Sequence, residues 1–147
     1  MRLAARSEYG LLALIDLAGC DRPLATRELA ESRGIPQAFL EQLLADLRRA
    51  SLIRATRGPH GGFSLARPAA EITALEIVEA LEGPIAPSVC CPDECGRELG
   101  CAAASVWSGV SEAVRDALEA YTLERLAHDQ RRLDRAPLTC NTTRRTD

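Results

Sequence analysis

The sequence predicts a mainly α-helical fold: a run of helices interrupted by one β-hairpin, with a long helix beyond it and no βαβ unit. Three observations predict it. The chain of 147 residues is 46% apolar but only 3% aromatic, and Ala and Leu dominate, which favours helices. Apolar residues recur at steps of three or four through most of its length, the spacing of a buried helix face. The exception is residues 52–66, where two short alternating segments, "LIRAT" and "FSLA", flank "RGPHGG", which reads as a hairpin with a Gly-rich tip. A chain of this size is one domain, with room for an appendage, and it can bury a real core.

The elements follow in order. Residues 6–19, "RSEYGLLALIDLAG", read as a helix apolar on most faces and therefore largely buried. Thr26 is placed to cap a short helix, "RELAESR", whose end Gly34 marks. Pro36 suits the first turn of the next helix, "PQAFLEQLLADLRRA". There Phe39, Leu40, Leu43, Leu44 and Leu47 face the core, which leaves Gln37, Glu41, Gln42 and Arg48 pointing outward. Two helices joined by a tight turn at Gly34 and Ile35 match a helix-turn-helix, and a hairpin directly after it is a wing. That order, more than any single element, predicts a winged helix-turn-helix DNA-binding domain over residues 1–83. "ITALEIVEALEG" is a further amphipathic helix ending at Gly83 and Pro84.

Beyond it lies a cysteine-rich loop, residues 84–101, and then a helical region, 102–136. In the latter Trp107, Val110, Val114, Ala117 and Tyr121 repeat at helical steps along a helix of about 20 residues. Such a stripe beyond a complete winged domain is expected to pack against a second subunit. A dimer would present two recognition helices to successive major grooves. The tail, 137–147, reads as disordered, with Cys140 free.

Charge supports an anionic partner only weakly. The net charge is −3, but residues 1–67 carry ten Arg against seven acids, whereas 68–147 carry eight Arg against fourteen. The basic half is therefore where nucleic acid would dock. The N-terminus lacks the layout of a secretory signal, and no apolar run approaches the roughly 20 residues that span a bilayer. A cytoplasmic protein without membrane contact is expected, with thiols held reduced. No C-x-x-C beside a βαβ unit and no Gly-rich nucleotide loop is present, so an enzyme is not expected.

"CCPDECGRELGC", residues 90–101, holds four of the six cysteines. A disulfide knot is disfavoured by compartment, and adjacent Cys90 and Cys91 are poorly placed to bond each other. Soft thiolates suit zinc and iron–sulfur clusters alike. Structural zinc sites favour ligand pairs two to four residues apart, and only Cys91 and Cys95 fit that spacing. On spacing alone zinc and cluster stand level. Cys20, at the end of the first helix, reads as a small buried hydrophobe. His128 reads as surface and His60, in the wing, as a DNA contact.

The chain resembles the IscR/NsrR-type winged-helix regulators, the Rrf-two family. The resemblance runs over about residues 1–127, from "MRLAARSEYG" to "CAAASVW" and "YTLERL", and "RGPHGGFSLARP" is its most specific segment. It implies a homodimeric transcriptional regulator, with repression the expected direction, acting on a partly palindromic double-stranded operator. It also implies an iron–sulfur cluster, 2Fe-2S or 4Fe-4S, on three loop cysteines. Carried over, the ligands are Cys95, Cys101 and either Cys90 or Cys91, the count from "EALEG" favouring Cys90. Some relatives add a His three residues after the last cysteine, where this chain has Ala104. Others supply an acid from the opposite subunit's first helix, which here is Glu8. Cluster control by redox state, nitric oxide or iron supply is the implied regulation; a zinc-stabilised or cluster-free thiol sensor is the alternative. The DNA-contacting set is Thr26, Arg27, Gln37, Glu41, Gln42 and Arg48 in the helix-turn-helix, with Arg57 and His60 in the wing.

Overall fold

A computed structural model describes residues 4–85 and 102–134. Its helices are α1 (Ala5–Ala18), α2 (Thr26–Arg33), α3 (Gln37–Arg49), α4 (Ala74–Glu82), α5 (Ala102–Glu119) and α6 (Leu123–Leu133). Strands β1 (Ile53–Thr56) and β2 (Gly62–Leu65) form an antiparallel hairpin in which Ile53 faces Leu65 and Thr56 faces Gly62. The mainly helical class with a winged helix-turn-helix is therefore present as expected from the sequence.

Leucines at helical spacing build the core. Leu40, Leu43, Leu44 and Leu47 of α3 are buried against Leu14 and Leu17 of α1, Leu29 of α2 and Ile77 and Leu81 of α4. Phe39 is half-buried and meets Tyr9 edge-on, with ring centroids 5.9 Å apart. Within β1 only Ile53 is buried, so Arg54 and Thr56 project to solvent. A third rung completes the wing: Leu24 exchanges backbone hydrogen bonds with Phe63 at 2.9 and 2.8 Å. Gly62, with φ +150°, permits this approach, because a Cβ there would sit 2.4 Å from the Leu24 carbonyl oxygen.

Helix ends follow the sequence with local differences. Thr26 does not cap α2; it is the first helical residue, and the cap is Ala25. Glu28, three residues in, makes the reverse half of a capping box, its carboxylate accepting the Ala25 N–H at 2.8 Å. Pro36 stands just outside α3, its carbonyl accepting from Phe39 and Leu40. Gly34 ends α2 in the left-handed conformation, φ +62°. Thr73 and Glu76 form the capping box of α4, each accepting the other's backbone N–H.

The expected helix of about 20 residues ends at Glu119, and the chain turns before α6. Tyr121 lies in that turn, off the α5 stripe. Its carbonyl accepts the Ala74 N–H at 2.9 Å, and Leu123 donates to the Ile72 carbonyl at 2.8 Å. This pairing folds α6 back against α1 and buries Leu123 and Ala127 in the core of the winged domain.

Candidate nucleic-acid interface and cysteine loop

The outward face of α3 carries the predicted reading residues. Gln37, Glu41, Gln42 and Arg48 are all exposed, held in place by the four leucines buried on the opposite face. Gln37 donates its amide to the Glu41 carboxylate at 3.0 Å, so the two form one polar unit. Arg27, on α2, is exposed and pairs with Glu31 at 2.8 Å, while Thr26 is half-buried beside it. Arg57 and His60 occupy the exposed wing tip, and among the described residues neither side chain has a hydrogen-bond or ion-pair partner. The face thus presents amide, carboxylate and guanidinium groups of the kinds that pair with base edges and phosphates. Arg54 also belongs to this surface. It is exposed on β1 and donates to Ser64 at 3.2 Å, and the alternation around buried Ile53 was the signal that could have picked it out.

Ion pairs brace α1, α2 and α3. Asp16, 5% exposed on α1, accepts both Arg33 Nε (3.0 and 3.1 Å) and the Ser32 hydroxyl (2.9 Å). Arg33 Nη2 also bonds this carboxylate, and that contact raises the Arg33 pKa above its ordinary value. Because Arg33 immediately precedes the Gly34 turn, the pair fixes the angle at which α3 leaves α2. Asp46 on α3 receives Arg6 from the start of α1 and Arg49 from its own helix at 2.8 Å. Arg22 pairs with Glu28 at 2.8 Å, which raises the arginine's pKa and lowers the carboxyl's.

Cys90, Cys91, Cys95 and Cys101 lie outside the described residues, as does Cys140. The ground around the loop is defined. Ser7, buried in the first turns of α1, donates to Glu82 at the end of α4 at 2.8 Å, so α1 begins where the chain runs into the loop. Next to Ser7, Glu8 is exposed, and among the described residues its carboxylate has no hydrogen-bond or ion-pair partner. Ala104 is half-buried near the start of α5. Among the described residues, no group of three His, Cys, Asp or Glu could hold a metal ion. Of the stripe on α5, Trp107 (47% exposed) and Val110 (45%) stand in solvent, and Val106 beside them is 61% exposed. Val114 is half-buried, Ala117 exposed and Tyr121 42% exposed under the Arg125 guanidinium, 4.9 Å from its ring. Not one residue of the 18 in α5 is fully buried.

Cys20 departs from its reading as a small buried thiol. It is half-buried and disulfide-bonded.

The model of the Rrf2 family, described as an iron-dependent transcriptional regulator, matches residues 3–129. The chain is 35% identical to the protein rrf2 of Nitratidesulfovibrio vulgaris, over 88% of this chain and 89% of that one. It is also 35% identical to the regulator CymR of Bacillus subtilis (86% and 90%) and 31% identical to IscR of Photorhabdus laumondii (99% and 90%). Among solved structures, B. subtilis CymR, titled the global cysteine regulator, superposes with a TM-score of 0.76 at 33% identity, covering 88% of this chain and 98% of that one. IscR of T. potens superposes at 0.77 and 29%, covering 92% and 93%. The relatives are transcriptional regulators and not enzymes. A helix-turn-helix with a paired wing, continued by an exposed helix and matched over nearly its whole length, identifies the chain as a member of the Rrf2 family of winged-helix transcriptional regulators.

Proposed function

We propose that the protein is a cytoplasmic, homodimeric repressor that binds a partly palindromic operator and whose occupancy follows an iron–sulfur cluster on the cysteine loop. The observation that carries the DNA part is the outward face of α3, where Gln37, Glu41 and Gln42 stand exposed on a helix fixed from behind by four buried leucines. Gln pairs with adenine and Glu accepts from cytosine in the major groove, while Arg48, Arg57 and His60 serve phosphates or the minor groove. Thr26 and Arg27 lie at the start of α2, where a backbone contact suits them. The exposed apolar residues of α5 supply the dimer contact, and among the described residues no helix is long and apolar enough to cross a membrane.

For the cluster, Cys95, Cys101 and Cys90, with Cys91 in its place as the variant, are the thiolate donors. Glu8 of the opposite subunit is the fourth. Its fit rests on exposure and on a carboxylate without a competing partner, in the helix whose first turns hold the end of α4. A cluster supplies redox and nitric-oxide reactivity; an oxygen donor binds it less tightly than thiolate and leaves it more open to exchange. Protein purified without oxygen should be brown, with iron and acid-labile sulfide, and Glu8→Ala should shift its absorption while leaving fold and dimer intact. A colourless protein with one equivalent of zinc, or an unchanged spectrum in Glu8→Ala, would reject the respective assignment.

A cluster-free thiol sensor is the second reading, favoured by the disulfide state of Cys20 and by the CymR relatives. Iron analysis of the anaerobic protein separates the two.

A further inference from the structure

At the junction of α1, α2 and α6 lies a cavity of about 180 Å³. Ile15, Leu24, Leu29 and Ala127 give it an apolar wall, and all four are buried. There α6 faces the end of α1 with the methyl group of Ala127, which leaves space that a larger side chain would fill. An apolar cavity of roughly 150 Å³ accepts a benzene ring, so this one admits a compact body of that size. It also lies away from the cysteine loop. Ser7, which meets the end of α4, precedes Ile15 by two turns of α1, about 12 Å.

The charged groups at its edge are not equivalent. Arg22 is held by Glu28 at 2.8 Å, Asp16 by Arg33 and the Ser32 hydroxyl, and Asp134 accepts from the Gln130 amide at 2.7 Å. Each of these is already engaged within the protein. Arg131 lies on the same edge, and among the described residues its guanidinium has no hydrogen-bond or ion-pair partner. An exposed arginine is usually only solvated. This one stands one turn after Ala127, so it shares the face of α6 that closes the cavity. A guanidinium at the mouth of an apolar pocket matches a carboxylate carried on an apolar body, which it can bind through two parallel N–H bonds.

We propose that this cavity binds a small organic carboxylate whose apolar body is about the size of a benzene ring. The body lies against Ile15, Leu24, Leu29 and Ala127, and the carboxylate accepts from Arg131. Burial of the body supplies the affinity, and the single polar anchor supplies orientation and selection of the anion over a neutral analogue. The site requires neither the loop cysteines nor a metal.

The test is independent of DNA binding and of any cluster. The full chain, isotope-labelled for NMR, is titrated to millimolar concentrations with benzoate and with its neutral analogue benzamide, at constant ionic strength and neutral pH. The expected result is a saturable benzoate shift centred on the amides of Ile15, Leu24, Leu29 and Ala127. Benzamide should bind about fivefold more weakly, the discrimination an exposed ion pair provides. Arg131→Gln, at an exposed position, should abolish that preference, and Ala127→Leu should remove binding of both compounds by filling the space. Helical circular dichroism checks both variants; if Ala127→Leu fails to fold, Arg131→Gln still decides. No saturable shift at these residues overturns the site. Equal affinity for the two compounds, or a preference for benzoate that survives in Arg131→Gln, overturns the pairing of a carboxylate with Arg131.

Discussion

At the residue scale, two kinds of side chain do different work on the same helix pair. Asp16 is a buried carboxylate whose charge is tolerable because Arg33 and Ser32 satisfy it. Removing one member leaves the other buried charge uncompensated. Asp16→Ala should therefore lower unfolding stability in urea by about 3 kcal/mol or more. It should also weaken operator binding, since Arg33 sets the turn before α3. Glu41, whose carboxylate among the described residues accepts only from Gln37 on its own helix, and Arg57 are, in contrast, exposed. Glu41→Ala should leave the melting temperature unchanged but alter which base is preferred in a binding-site selection. Arg57→Ala should weaken binding to all sequences and reduce the salt slope by about one counterion. The Arg22–Glu28 pair adds a pH term. Arg22 lowers the Glu28 carboxyl below its ordinary value of 4.5, so this stability is present above that value and disappears as pH falls through the depressed one. Both side chains are nearly half exposed, which limits the pair to under about 1 kcal/mol. The melting difference between wild type and Glu28→Gln should accordingly vanish in acid.

At the element scale, α5 and α6 are both amphipathic helices with opposite fates. Leu123 and Ala127 of α6 are buried because the Tyr121–Ala74 and Leu123–Ile72 backbone bonds fold that helix onto α1. Among the described residues α5 is tied to α4 through Arg115 and Glu79, while Val106, Trp107 and Val110 stand in solvent within one turn of one another. A patch of this kind is where the proposed dimer would form. Trp107→Glu should shift the sedimentation of the protein from dimer to monomer with its helical circular dichroism retained. A dimer that persists at micromolar concentration would place the contact elsewhere.

At the scale of the whole molecule, α1 is the shared strut. Its start carries Arg6 to Asp46 on the recognition helix and Ser7 to Glu82 at the head of the loop, and its end carries Asp16 to Arg33. A change at the loop therefore meets the recognition helix through one rigid element. Differential DNA affinity between loop states is what regulation requires, and about 1–3 kcal/mol is usual for such coupling, or roughly 5- to 150-fold in affinity. Gel shifts with intact, oxidised and cluster-free protein should separate by that factor. Identical affinities in all three would reject the proposed control by a cluster.

The sequence by itself determined the helix-turn-helix and its wing, because their signals are local. Helical spacing of four leucines, the left-handed glycine at 34 and the alternation around Arg54 need no distant partner to act. It also determined which α3 residues face outward, since burial of Leu40, Leu43, Leu44 and Leu47 leaves no other face for Gln37, Glu41 and Gln42. Tertiary structure decided what depends on contacts far apart in the chain. The helix stripe 107–121 breaks at Ala120 and Tyr121 because residues 121–123 pair with 72–74, nearly fifty positions earlier. The cap falls on Ala25 and not Thr26, with the Glu28 carboxylate accepting the Ala25 N–H, which propensity at one position does not register. Asp16, inside an apolar helix, is satisfied by Arg33 and Ser32, which only the fold brings to it. Each of these outcomes turns on a partner, and a partner is supplied only when the chain closes on itself.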